Sequence, residues 1–235
     1  MITGAAHGLG RELALLLDKE GCSLILVDRD SIHAAAFQNA RSFTCDLSDL
    51  SQRKKLVEEF KAKIDILINC AGVGSHSRLG QLTMDEIEHV MQVNALAPLE
   101  LIAGLSPLEL IVNIGSVAGE MNLPSMSLYA ASKTSVHAFT RAIQLEGART
   151  LLVILGPLRG TDFTKSISHP LTGQPKWYRD LDLDAKKAAL LIVYAMQRGG
   201  SQLVAPWWYG IVFAAWRVFS PLSKWFMRVS KRPEG

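Results

Sequence analysis

The sequence predicts an α/β fold built on a parallel sheet, and three observations carry that prediction. Short, nearly all-apolar runs alternate with amphipathic stretches along most of the chain, the pattern of βα units whose strands are covered on both faces. A glycine-rich turn, Thr3-Gly4-Ala5-Ala6-His7-Gly8-Leu9-Gly10, opens directly into a helical pattern beginning Arg11-Glu12-Leu13-Ala14. The next apolar run, Leu24-Ile25-Leu26-Val27, ends in an acid, Asp28. The 235 residues are 49% apolar and 20% charged, with mean hydropathy +0.17. That balance suits one domain with a sizeable core and excludes a disordered chain.

Taken in order, the strand runs are Ser23–Asp28, Arg41–Thr44, Ile64–Asn69, Leu108–Ile114, Thr150–Leu155 and Gln202–Ala205. Helical patterns lie between them at 9–20, 51–62, 83–104, 127–146 and 184–198. Only Met1 and Ile2 precede the glycine turn, so the first strand is expected to be truncated. Either the chain is a shortened form of a longer one or the fold tolerates a stub; no secretory signal is visible ahead of the turn in this sequence. Residues 156–184, with Pro157, Pro170 and Pro175, form the longest irregular stretch. A loop of that length reads as a lid or binding segment, or as plain irregular packing.

The net charge of +3 is too small to indicate a nucleic-acid partner, and none is expected. Its placement says more. From Ser201 onward five basic residues (Arg217, Lys224, Arg228, Lys231, Arg232) face one acid, Glu234, and four of the five tryptophans lie there. The chain therefore divides into a body, 1–205, and an apolar and basic tail, 206–235. Leu203–Trp216 gives fourteen uncharged residues, short of the roughly 20 needed to span a bilayer. Beyond it, Leu222, Trp225, Phe226 and Val229 follow helical spacing among Lys224, Arg228 and Lys231. Such a segment suits a membrane surface; covering the substrate pocket or an oligomer interface is the competing assignment. Cys22, Cys45 and Cys70 form no C-x-x-C pair, so neither a disulfide framework nor a metal site is expected, and a cytoplasmic, reducing setting is the simpler expectation.

The chemistry rests on two constellations. Glycines at 4, 8 and 10 let the backbone approach a pyrophosphate at the positive end of the following helix. Asp28, about 20 residues on, is placed to accept both ribose hydroxyls of an adenine dinucleotide; alternatively it caps a following helix with Asp30 and Ser31. A carboxylate there repels a 2′-phosphate and favours NAD, while the nearby His7 and Arg29 keep NADP open. Farther along, Tyr129-Ala130-Ala131-Ser132-Lys133 sets a phenol and an ammonium at i and i+4 on one helix face. A cation there lowers the tyrosine pKa toward that of a usable proton donor and acceptor. Ser116, in the loop after the Leu110–Ile114 run, supplies a hydroxyl that hydrogen-bonds a substrate oxygen.

With these residues in place, the chain resembles the short single-domain group of the short-chain dehydrogenase/reductase family over roughly residues 1–205. Thr3 to Gly10 matches the family's cofactor turn and Asp46-Leu47 its adenine-pocket acid and neighbour. Asn69-Cys70-Ala71-Gly72 matches its Asn-Asn-Ala-Gly motif with one change. Asn94, Ser116, Tyr129 and Lys133 match its catalytic tetrad. The resemblance implies a Rossmann-type doubly wound sheet and hydride transfer between nicotinamide and a secondary alcohol or ketone. It makes Tyr129 the general acid/base and Ser116 the orienting hydroxyl. Lys133 lowers the tyrosine pKa and binds the nicotinamide ribose, and Asn94 holds a relaying water. As simpler roles, Asn94 suits a helix bend and Ser116 a turn. A homo-oligomer is implied too.

Departures matter. Leu155-Gly156-Pro157 stands where the family has Pro-Gly, which leaves Thr161 as a loosely specified cofactor contact. Cys70 reads as a structural thiol. The apolar tail suggests a lipophilic substrate. The rival expectation is a catalytically silent dinucleotide-binding scaffold of the same fold; a sugar-nucleotide epimerase is disfavoured because too little chain remains for its substrate domain.

Overall fold

The computed structural model describes residues 1–121, 124–161 and 183–215. In chain order the elements are β1 (Ile2–Thr3), α1 (Gly8–Lys19), β2 (Leu24–Asp28), β3 (Ala40–Thr44), α2 (Leu50–Phe60) and β4 (Ile66–Asn69). Then come α3 (Met84–Met91), a π-helical turn (Gln92–Leu96), α4 (Ala97–Leu105), β5 (Leu110–Ser116), α5 (Ser127–Leu145) and β6 (Thr150–Leu155). The last are β7 (Leu158–Arg159), β8 (Leu183–Asp184), α6 (Ala185–Gln197), β9 (Gln202–Ala205) and a helix α7 at 208–215. Seven strands form one parallel sheet in the order β3-β2-β1-β4-β5-β6-β9.

The strand periodicity sorts side chains to the two faces of this sheet. On one face Leu26, Ile68, Val112, Leu151 and Val153 pack with Leu13 and Ala14 of α1 and with Ala188, Ala189 and Ile192 of α6. On the other, Val27, Leu67 and Ile111 pack with Leu56 of α2 and with Leu101 and Leu105 of α4. Burial on both faces is what makes the central runs almost wholly apolar. β3 departs from that expectation: Arg41 and Ser42 are exposed because the strand lies at the sheet edge, with neighbours on one side only.

The first strand is as short as the sequence leads one to expect, and it still joins the sheet on both sides. β1 has two residues, yet Ile2 pairs with both Leu26 and Ile68. Past its end a side chain continues the ladder: Thr3 Oγ1 accepts the N–H groups of Cys70 and Ala71, each at 3.1 Å.

Two other differences concern helices. The pattern at 83–104 is one stretch in sequence but is broken into α3, the π turn and α4. The tail also begins differently from expectation. Tyr209 and Phe213 of α7 are buried against Val117, Leu152 and Ile154, so the first part of 206–235 belongs to the core of the body. Trp208 stacks on Tyr209 with ring centroids 3.9 Å apart. The remainder of the tail, 216–235, and most of the 156–184 stretch lie outside the described residues. Among those described, no helix is long and apolar enough to cross a membrane.

Candidate active site

The sheet order turns back between β1 and β4, which opens a crevice at the C-terminal ends of the strands. The glycine turn fills one side of it. Gly4 has φ +71°, and a Cβ there would lie 2.8 Å from Ala71 Cα. A Cβ on Gly10 would lie 2.0 Å from the Gly4 carbonyl oxygen. Only glycine allows this closeness, and the turn hands the chain directly into α1. The N-cap residue of α1, His7, makes no side-chain cap to its first N–H groups, and the first turn holds no acid. An anion is what such a helix end accepts. A Cβ on Gly8 would come within 3.2 Å of the Thr161 side chain, so Thr161, across the sheet in sequence, does stand against the turn. Leu9 itself is buried in the core.

Asp28 is bound to the turn rather than to a following helix. Its Oδ2 accepts the Ala6 N–H at 2.9 Å and its Oδ1 accepts the Asp30 N–H at 3.1 Å. A carboxylate has about four acceptor positions, so both contacts leave capacity for ribose hydroxyls. The helix-capping alternative is not realised: the short 3-10 turn at Ala34–Ala36 begins from His33. His7 pairs through Nε2 with Asp30 Oδ2 at 3.1 Å, so a second carboxylate faces that imidazole.

Asp46 and Leu47 follow β3, at the C-terminal ends of the strands. Burial pushes the Asp46 carboxyl up, but hydrogen bonds from the Ser48 N–H and hydroxyl, with His89 and Arg29 nearby, bring it below its ordinary value. A feature not foreseen holds this loop. Arg53 of α2, fully buried, donates from Nη1 to the Leu47 carbonyl at 2.6 Å and from Nε to Glu100 Oε2 at 2.6 Å. Its Nη2 reaches Gln92 Oε1 at 2.7 Å. Arg53 thus ties the Asp46–Leu47 loop to α4 and to the π turn.

The other end carries the Ser–Tyr–Lys group. Tyr129 is 6% exposed, and the Ser116 hydroxyl hydrogen-bonds its side chain. Ser116 Oγ also accepts the Ala118 N–H at 3.2 Å. Lys133 Nζ lies 5.9 Å from the Tyr129 ring centroid and donates to the Ile114 carbonyl at 2.9 Å. A Cβ on Gly72 would lie 3.4 Å from Asn94 Oδ1 and 3.5 Å from Lys133 Nζ, which brings Gly72, Asn94 and Lys133 into one place. Asn94 sits in the π turn, where its amide donates to the Val73 carbonyl and its Oδ1 accepts the Val73 N–H, both at 2.8 Å. Its side chain therefore fixes the loop that leaves β4.

The electrostatics differ from the sequence expectation in one respect. Burial pushes the Tyr129 phenol up to about 12, and the Ser116 hydrogen bond is what works against that rise. The Lys133 ammonium donates to the Ile114 carbonyl, and burial lowers Lys133 itself to about 8. Cys70 is pushed up to about 12 by burial, which keeps the thiol protonated at neutral pH and unsuited to attack.

Sequence reasoning also missed the polar chain beneath the site. Asn69 donates to Asn113 Oδ1 at 2.8 Å, and Asn113 donates to Thr140 Oγ1 at 2.8 Å, which binds α5 to β4 and β5. The Asn69 amide nitrogen is thereby held on Asn113 while its buried Oδ1 has no hydrogen-bond partner among the described residues, and Ala71 and Gly72 stand nearest the glycine turn and Lys133. An asparagine within the apolar run Leu110–Ile114 was the available signal for this chain.

A glycine turn under an uncapped helix, followed across the switch point by a buried phenol, hydroxyl and ammonium, defines a dinucleotide-binding oxidoreductase. Known proteins agree. The chain matches the family model described as short chain dehydrogenase over residues 1–171. It is 30% identical to a fatty acyl-CoA reductase of Acinetobacter baylyi over 217 residues, 83% of this chain and 72% of the relative. A short-chain dehydrogenase from Sphingobium yanoikuyae in complex with NADPH superimposes with TM-score 0.80 at 24% identity, covering 100% of this chain and 96% of that one. A short chain dehydrogenase/reductase from Burkholderia phymatum in complex with NAD gives 0.79 at 23% identity, covering 94% and 93%. This chain belongs to the short chain dehydrogenase family and is an NAD(P)-dependent dehydrogenase or reductase.

Proposed function

We propose that the protein interconverts a lipophilic secondary alcohol and its ketone, with Tyr129 moving the proton. The observation that carries this reading is the buried Tyr129 phenol hydrogen-bonded to Ser116, one helical turn from Lys133. A nicotinamide bound in the crevice supplies or takes up the hydride at the carbinol carbon. Tyr129 takes the hydroxyl proton as that alcohol is oxidised and returns it to the carbonyl oxygen on reduction. Ser116 steers the same oxygen by hydrogen bond without changing charge. Lys133 lies where a ribose would pass between Gly72 and Tyr129, and there its cation stabilises the phenolate. Asn94 holds the Val73 backbone that borders this space. Gly4, Gly8, Gly10 and the open end of α1 hold the pyrophosphate, with Thr161 against Gly8.

NAD is the favoured cofactor, because Asp28 places a carboxylate at the ribose and Asp30 occupies His7. The lipophilic substrate rests on the apolar run Leu203–Trp216 and on the name of the Acinetobacter relative. Self-association is supported by Leu190, Leu191 and Tyr194, which α6 leaves exposed.

Thermal unfolding with NADH and with NADPH, followed by reduction of a panel of long-chain and aryl ketones, tests the proposal. Nucleotide at a hundredfold excess over its dissociation constant stabilises by about 2.7 kcal/mol, and the larger shift is expected with NADH. Tyr129→Phe should keep that shift and lose about 10²- to 10⁴-fold in kcat. A Tyr129→Phe variant that reduces ketones as fast as the parent overturns the assignment.

A further inference from the structure

α5 grips the end of β5 at two points that lie two residues apart on the strand and one turn apart on the helix. Lys133 Nζ takes the Ile114 carbonyl at 2.9 Å. One turn on, His137 Nε2 accepts the Ser116 N–H at 3.3 Å. A strand residue and its second neighbour face the same way, so a donor and an acceptor of one strand edge meet two successive side chains of one helix face. Lys133 belongs to the proposed tetrad. His137 has no part in it.

The environment of His137 is built to keep its ring in one state. It is 1% exposed and fills the space beneath two glycines: a Cβ on Gly115 would lie 2.1 Å from Nε2, and one on Gly119 would lie 2.7 Å from Cε1. Its Nδ1 faces Glu120 Oε1 at 3.0 Å. A carboxylate accepts only, so the ring proton sits on Nδ1 and Nε2 is left as the acceptor that the Ser116 N–H requires. Arg141, a further turn along α5, binds the same Glu120 oxygen and holds that carboxylate in place. Thr134 closes the loop from the other side, donating to the Gly119 carbonyl at 3.0 Å. The loop 115–120 is thus fastened to the helix that carries Tyr129 and Lys133, and the innermost fastening is at the backbone of Ser116.

We infer that His137, oriented by Glu120 and Arg141, is a positioning residue that sets Ser116 against Tyr129. The inference rests on the assignment of Ser116 and Tyr129 made above. It works through the backbone: the His137 ring fixes the Ser116 N–H, and with it the direction of the Ser116 hydroxyl. The same ring explains why Gly115 and Gly119 carry no side chain.

Two polar substitutions separate the two ring nitrogens. His137→Gln carries an amide oxygen out to the Nε2 position and can still accept from Ser116. His137→Asn reaches only as far as Nδ1 and can still meet Glu120. In each variant, hydrogen exchange at the Ser116 amide is read by NMR, together with ketone reduction and the NADH-induced thermal shift. The expected result is that His137→Asn loses about tenfold to a hundredfold both in Ser116 amide protection and in kcat. His137→Gln should restore both to within a few-fold of the parent, and neither variant should change the KM for NADH or the thermal shift. Unchanged Ser116 protection in a folded His137→Asn variant overturns the inference. So does a His137→Gln variant that is as impaired as His137→Asn, or a loss that appears in KM for NADH instead of kcat. If the parent transfers no hydride with either nucleotide, the catalytic assignment of Tyr129 falls, and amide exchange at Ser116 still decides the role of His137.

Discussion

The two ends of the crevice are held by different means. At the nucleotide end the contacts converge on the backbone of the turn and its neighbouring loop: Gly10 lies on the Gly4 carbonyl, the Ala6 N–H meets the Asp28 carboxylate, and the Thr3 hydroxyl takes two N–H groups of the neighbouring loop. At the reacting end they are made by buried side chains reaching between distant elements, Asn94 to Val73, Asn69 to Asn113 to Thr140, and Arg141 to Glu120 to His137. The nucleotide end tolerates almost no added atom, and the reacting end tolerates almost no lost polar partner. Binding and chemistry should therefore break separately under substitution.

Gly10→Ala is the sharpest way to break that contrast. The added Cβ lies 2.0 Å from a backbone oxygen, which no rotamer change relieves. The turn must open, at a cost of about 3 kcal/mol in stability, and the NADH-induced thermal shift should vanish. The Ser116 amide should stay protected, since none of its partners lies in the turn. A Gly10→Ala variant that binds NADH like the parent would show that the turn is not the pyrophosphate site.

Arg53 tests the boundary between the ends, because its buried side chain joins the Asp46–Leu47 loop to α4 and the π turn. Its guanidinium is 2% exposed while Glu100 is 38% exposed. In Arg53→Leu, Glu100 can turn to water, but the Leu47 carbonyl and Gln92 lose their donor. Denaturant unfolding should show a loss of about 2 kcal/mol, with a several-fold weaker NADH affinity and kcat at saturating NADH close to that of the parent. A fall in kcat at saturation would instead mean that the π turn carrying Asn94 is what Arg53 serves.

The same contrast explains how much was legible beforehand. Backbone-built features are written contiguously, so the Gly4–Gly10 turn, the strand ending at Asp28 and the Tyr129–Lys133 helix face could be read from local spacing. The stub β1 was legible too, though not how Thr3 extends it. Features built by distant side chains carry no local signature. Arg53 on α2 looks like any solvated arginine until Leu47 and Glu100 fold over it. His137 shares a helix face with Lys133, but nothing in its neighbours announces Glu120, seventeen residues earlier, as its partner. The edge position of β3 and the burial of Tyr209 and Phe213 were hidden for the same reason, since both depend on which elements become neighbours. The rise of the Tyr129 pKa was hidden as well, because local spacing does not show how deeply the phenol is buried.

The smallest expected effect is a pH dependence that should arise mainly at the reacting end. Burial pushes the Glu120 carboxyl up, but hydrogen bonds from His137 and Arg141 outweigh it and bring the value from 4.5 down to about 2. A carboxyl depressed on folding stabilises fully above its unfolded value, and that contribution fades as pH falls from about 4.5 toward 2. Burial also lowers His137 below its ordinary 6.5, against the pull of Glu120. Its neutral form stabilises above 6.5, and this too is lost as pH drops through the folded value, so both groups slope the same way. Asp46 at the nucleotide end is depressed as well, but solvent reaches it and screens its share. Glu120→Gln should therefore cost on the order of 2 kcal/mol at pH 7. Denaturant midpoints of parent and variant should converge between pH 4.5 and 3, because protonation removes from the parent what the substitution removed already. A gap that stays constant over that range would mean that Glu120 holds His137 by shape and not by charge, and the proton on Nδ1 would need another explanation.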